Sequence, residues 1–108
     1  MTRAKHSFTY DATTTTATAK AVNESGFIRS IAVVMPNFTN SITATLSVKD
    51  VDGYEVISKA SIAENATTVY LKEEVPIYYD STMTITLSGA AGGTGGTVYV
   101  VLYVDTGA

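Results

Sequence analysis

No cysteine occurs anywhere in this chain, so disulfides and thiolate metal sites are excluded, and stability has to come from packing or assembly. Tryptophan is also absent, and His6 is the only histidine. One histidine and no thiol leave little with which to build a nucleophile–base pair or a transition-metal site. Charge is sparse, at 16% of residues against the ~25% usual for globular chains. The seven basic residues, Arg3, Lys5, Lys20, Arg29, Lys49, Lys59 and Lys72, are scattered, and the formal net charge is -3. No basic stripe forms, which argues against nucleic acid as a partner. No apolar run approaches the ~20 residues of a membrane-crossing helix, and "MTRAKHSFTYDATTTT" lacks the apolar centre of a secretory signal. The expectation is a chain made in the cytoplasm with neither a membrane nor a nucleic-acid partner.

What is present is threonine, at roughly one position in six, and apolar residues, at 45%. Threonine is stiff at its β-carbon and suits strands better than helices. Alternation with period two dominates, the mark of strands with one buried face. It places Ile42, Ala44, Leu46 and Val48 on one side of "ITATLSVK", and Met83, Ile85 and Leu87 on one side of "TMTITLS". In "TVYVVLYV" it sets Val98, Val100, Leu102 and Val104 against Tyr99, Val101 and Tyr103. "FIRSIAVVM" is apolar on both sides, which predicts a central strand. Further strands are expected at 5–10, 13–20 and 67–72, with "ATTTTATAK" read as an edge strand in preference to a linker.

"DVDG" at 50–53 separates two such runs and predicts a hairpin, since Asp and Gly tolerate positive φ. Pro76 favours an edge or a loop, and "SIAENAT" has room for one helical turn at most. About eight short strands separated by turns predict an all-β antiparallel sandwich, jelly-roll-like, formed by residues 1–108 as a single domain. Its expected core is Ile42, Leu46, Val48, Met83, Ile85, Leu87, Val98, Val100 and Leu102.

Candidate chemistry is thin. The glycine run in "SGAAGGTGGT" precedes a strand, with no helix behind it and no Lys-Ser/Thr pair. It therefore reads as a flexible hairpin loop and not as a phosphate cradle. Asp50, Asp52 and Glu55 gather near one turn, but calcium loops need more ligands over a longer span. Glu73 and Glu74 are adjacent in a polar stretch, His6 reads as a strand residue, and the three Asn-X-Ser/Thr matches lack an export signal. No catalytic, cofactor-binding or metal residue is expected, and hence no enzyme. The tyrosines are the informative class: Tyr99 and Tyr103, with Val101, share one face, and Tyr78 and Tyr79 follow Pro76. Such residues form either an interface or a covered face.

"GFIRSIAVVMPNF", "TATLSVKDVDGYEV", "AENATTVYL" and "TVYVVLYVD", spread over about residues 5–105, resemble the small β-sandwich virion proteins of tailed bacteriophages, and among them the head decoration (cement) proteins. The resemblance implies a non-enzymatic structural protein of the virion, made in the host cytoplasm, that binds and stabilises the head shell. Its implied partner is the major capsid protein or another virion lattice, bound by an oligomer. A small core without disulfide or metal, and the apolar face of Tyr99, Val101 and Tyr103 if nothing covers it, lead to the expectation of a homo-oligomer, with a trimer as the candidate order, docked through loops or the N-terminal segment. The competing expectation is a carbohydrate-binding β-sandwich module that stacks sugars on exposed tyrosines.

Overall fold

A computed structural model describes residues 2–22, 25–77 and 80–105. These form eight strands: β1 (Thr2–Tyr10), β2 (Thr16–Val22), β3 (Gly26–Met35), β4 (Thr43–Lys49), β5 (Glu55–Ala63), β6 (Ala66–Ile77), β7 (Ser81–Leu87) and β8 (Gly96–Asp105). One four-stranded sheet, here sheet A, runs β1-β8-β3-β6; the other, sheet B, runs β2-β7-β4-β5. Every pairing is antiparallel. Four pairs, β1·β8, β2·β7, β3·β6 and β4·β5, are those of one long hairpin with β4–β5 at its tip. Rolling that hairpin up adds β3·β8 and β4·β7, which complete the two sheets. This is a jelly roll, as the alternation and turns predict.

The core lies between the sheets, and period two puts it there. In β4 and β7 every second residue is buried, and all nine predicted core residues are buried. Ile28, Ile31 and Val33 from β3, Phe8 and Tyr10 from β1, and Phe38, Ile62 and Ile77 complete it. β3 is central in sheet A, β2 is an edge of sheet B, and Pro76 sits near the end of edge strand β6, as expected. "SIAENAT" makes no helical turn. Ser61 to Ala63 end β5, Asn65 turns the chain with φ 51, and β6 starts at Ala66 in the opposite sheet.

The glycine run is not a hairpin, because β7 belongs to sheet B and β8 to sheet A. It is an inter-sheet crossover, fixed in place. Asn40 donates from its backbone N to Ala91 O at 3.0 Å and from Nδ2 to Ala90 O at 2.9 Å, and Gly92 N donates to Ala12 O at 3.0 Å. Asp11 Oδ1 accepts from Thr13 N and Thr14 N at 2.9 and 2.7 Å. Those two bonds favour the carboxylate and hold the exposed Asp11 down at about 2. Three connections, β1–β2, β3–β4 and β7–β8, thus form one ordered end.

Tyr10 anchors that end from within. Its ring meets Phe38 edge-on, with centroids 6.3 Å apart, and its hydroxyl donates to Ile85 O at 2.5 Å across the core. Burial pushes its phenol well above the usual tyrosine range. The unfolded chain would ionise this group above pH ~10 while the folded chain keeps its proton. Stability is therefore full below that pH and falls as pH rises beyond it. Tyr10→Phe should cost about 1 kcal/mol at neutral pH, the usual worth of one hydrogen bond. It should also remove part of the alkaline loss, as read by urea unfolding at neutral and alkaline pH.

Candidate interaction surface

The two outer faces of the sandwich differ sharply in chemistry. On sheet B the outward positions form cross-strand rows, Thr16–Thr86–Thr45 and Thr18–Thr84–Ser47–Ser58. Thr18 Oγ1 and Thr84 Oγ1 lie 3.4 Å apart. This face is mostly hydroxyl, with Lys49 and Glu55 paired at one end and Ala63 beside Thr43 at the other, and is well suited to water.

Sheet A carries the opposite surface. Its outward rows are Arg3–Tyr103–Ser30–Leu71, Lys5–Val101–Ala32–Val69 and Ser7–Tyr99–Val34–Thr67. Val69 is 53% exposed and Leu71 is 70% exposed, both on β6, and Phe27 on β3 is 50% exposed. The expected trio Tyr99, Val101 and Tyr103 does share this face, but its members are not equally open. Val101 is only 4% exposed. Lys5 and Ala32 flank it across the strands, and Tyr99 and Tyr103 flank it along its own, so it forms the floor of the patch while the two tyrosines are half-buried. Tyr78 and Tyr79 lie outside the described residues. Phe27, Val69 and Leu71 were not legible as site residues. The alternation of Val69 and Leu71 hinted at them, but the register of β6 against β3 was needed to join them to the tyrosines.

Two cations at the rim of this apolar face lie over aromatic rings, and Glu73 and Glu74 lie in β6 beyond Leu71. Lys5 Nζ stands 4.2 Å from the Tyr99 ring centroid, and Arg29 lies over Phe27 at 6.0 Å. Arg29 Nη2 also pairs with Asp105 Oδ2 at 3.0 Å. Contacts of this exposed kind contribute about 0.5–1 kcal/mol each.

Among the described residues no three of His, Cys, Asp and Glu come together to hold a metal. His6 is a half-buried residue of β1. An open depression of about 340 Å³ beside the start of β4 is lined by Ser41, Thr43, Ser88 and Glu64, with Ile42 and Ala63. The Asp50 to Tyr54 turn is the predicted hairpin, and Asp50 Oδ1 is occupied in accepting from Asp52 N and Tyr54 N, each at 2.9 Å.

The fold defines the class, a two-sheet jelly roll. No protein family and no curated protein matches the chain. Among solved structures, it is similar to a protein of Bacillus endospore appendages, described as disulfide-linked pili. That likeness has 20% identity over 95% of this chain and 87% of the other, with a TM-score of 0.46. It is also similar to a chain of the infectious bursal disease virus Gx strain, with 12% identity and a TM-score of 0.41, over 95% of this chain but 32% of that one. The Drosophila NLP core, titled for pentamer formation and histone binding, aligns at 16% identity over 93% and 96%, with a TM-score of 0.42. These likenesses, to all-β chains that include pilus and viral capsid proteins, are too loose to carry a functional argument.

Proposed function

We propose that this chain is a non-enzymatic structural protein, a decoration protein of a tailed-phage head, that associates with copies of itself through the outer face of sheet A. The observation that carries this is the contrast between the two outer faces. A stable sandwich needs only its inner faces apolar, yet sheet A adds Leu71, Val69, Val34, Val101, Tyr99 and Tyr103 on the outside. Contiguous apolar surface of this kind marks association. The hydroxyl face of sheet B remains soluble with nothing covering it. In this reading the ordered glycine-bearing end or the N-terminal segment contacts the capsid lattice, and loops held on a rigid scaffold are suited to such contact. Jelly rolls also serve as lectin domains, so the fold alone does not choose.

The phage assignment predicts that virions purified from the encoding phage contain this chain in a fixed ratio to the major capsid protein by quantitative mass spectrometry. Its absence from those particles would overturn the assignment. Binding to a glycan array through Tyr54, which is 72% exposed, would favour the carbohydrate-binding alternative.

A further inference from the structure

The large hydrophobic side chains that stand exposed among the described residues fall into two groups. Phe27, Val69 and Leu71 lie on the outer face of sheet A; Val51 and Tyr54, 71% and 72% exposed, lie at the β4–β5 tip. The β1 side of the face and the tip are opposite in charge. The β1 side holds Arg3 and Lys5, while Arg29 beside Phe27 is paired to Asp105 and Glu73 and Glu74 lie in β6 between Leu71 and Val75. The tip holds Asp50, Asp52 and Glu55, with Lys49 across the hairpin from Glu55.

The tip is also rigid. Asp50 N donates to Tyr54 O at 2.9 Å, and Gly53 N to Asp50 O at 3.0 Å. Asp50 Oδ1 accepts two further backbone amides, and Gly53 takes the positive φ of +87 that the turn requires. Val51 and Tyr54 are therefore held outward before any partner arrives, which limits the ordering cost of binding. A solvated turn needs neither an exposed valine nor an exposed tyrosine.

We infer that the occupant of the sheet A face is the β4–β5 tip of a second copy of this chain. This rests on the self-association reading above and specifies its geometry. Face-to-face packing of two A sheets about a two-fold axis perpendicular to the strands would set Arg3 and Lys5 against their own equivalents, which costs energy. About an axis along the strands it would lay edge strand β1 over edge strand β6 of the other copy. Tip-on-face packing instead brings Asp52 and Glu55 to Arg3 and Lys5, and lays Tyr54 and Val51 on the patch of Leu71, Val69 and Tyr103. The contact is heterologous: each copy gives a tip to one neighbour and a face to another, so copies add in a ring or an open chain. A five-residue tip covers well under the ~800 Å² per partner of a standard stable interface. Each contact is accordingly weak and salt-sensitive, and it gains strength by ring closure or by repetition on a lattice.

Complementation between two variants in sedimentation velocity tests this, with the purified chain as its own probe. A tip variant (Asp52→Lys with Tyr54→Ser) and a face variant (Lys5→Glu with Leu71→Asp) change exposed positions, and thermal melts confirm that both fold. Each alone should show self-association weakened about tenfold or more, the size expected for losing an anchoring side chain. Mixed in equal amounts, they should form a 1:1 heterodimer and nothing larger, because one intact tip and one intact face remain. If only the face variant dissociates, the copies meet face to face: the tip inference falls while association through sheet A stands. If neither variant dissociates, both fall. Two single changes guard against misfolding: Lys5→Glu should weaken binding, and mixing it with Asp52→Lys should restore it.

Discussion

Replacing Gly95 with alanine should be among the most damaging single changes in the chain, costing about 3 kcal/mol or more and leaving little folded protein at 37 °C. Gly95 has φ +75, a conformation that costs an L-residue with a side chain about 1–2 kcal/mol. The larger penalty is spatial. A β-carbon there would run into the backbone carbonyl of Tyr10, with the carbonyl carbons of Tyr10 and Asp11 at 2.7 and 2.9 Å. Backbone cannot swing aside as a flexible side chain can. Either the β1–β2 connection or the start of β8 must move, and both are tied down through Gly92, Ala12 and Asn40. Gly53→Ala supplies the comparison. Its φ is +87, but nothing lies within 4 Å of the added carbon, so it should show the conformational cost alone. Denaturant titration of the two variants checks the difference; equal losses would mean that the glycine crossover is slack after all.

Leu46→Ala should cost roughly 2–5 kcal/mol, again a large part of a typical domain's stability. Leu46 is fully buried at the middle of β4, which is itself flanked by β7 and β5, and its register partner Ile85 is fully buried as well. Removing three carbons there leaves a cavity between two sheets whose strands are hydrogen-bonded on both sides and cannot collapse freely. Thr45→Ala, one residue away on the hydroxyl face, should change stability by no more than about 0.5 kcal/mol. Urea unfolding of the pair reads out the inside–outside alternation directly, and a similar cost for both would contradict the sandwich.

The alternation that makes those two neighbours differ was legible in the sequence, because period two states which residues share a face. It was enough to name nine core positions, Ile42 just before β4 and eight within β4, β7 and β8, and to put Tyr99, Val101 and Tyr103 together. Pairing between distant strands was not legible. Nothing local says that β1 lies beside β8, or β3 beside β6, so the glycine run looked like a hairpin until its ends proved to belong to different sheets. Its packing depends on Tyr10 and Asn40, which are far away in the chain. The candidate surface divides in the same way. The β8 half followed from alternation, whereas Phe27, Val69 and Leu71 joined it only through cross-strand register. For the tip, the turn chemistry of "DVDG" was plain, but the exposure of Val51 and Tyr54 had to be seen in three dimensions.

The central claim is that the outer face of sheet A is an association surface between copies, and sedimentation equilibrium over a wide concentration range tests it most directly. The prediction is a mass that rises with concentration above the 11.4 kDa of one chain, falls back as salt is added, and falls back at constant salt when Leu71 is changed to Asp. A strict 11.4 kDa monomer at the highest concentration, indistinguishable from Leu71→Asp, would contradict it.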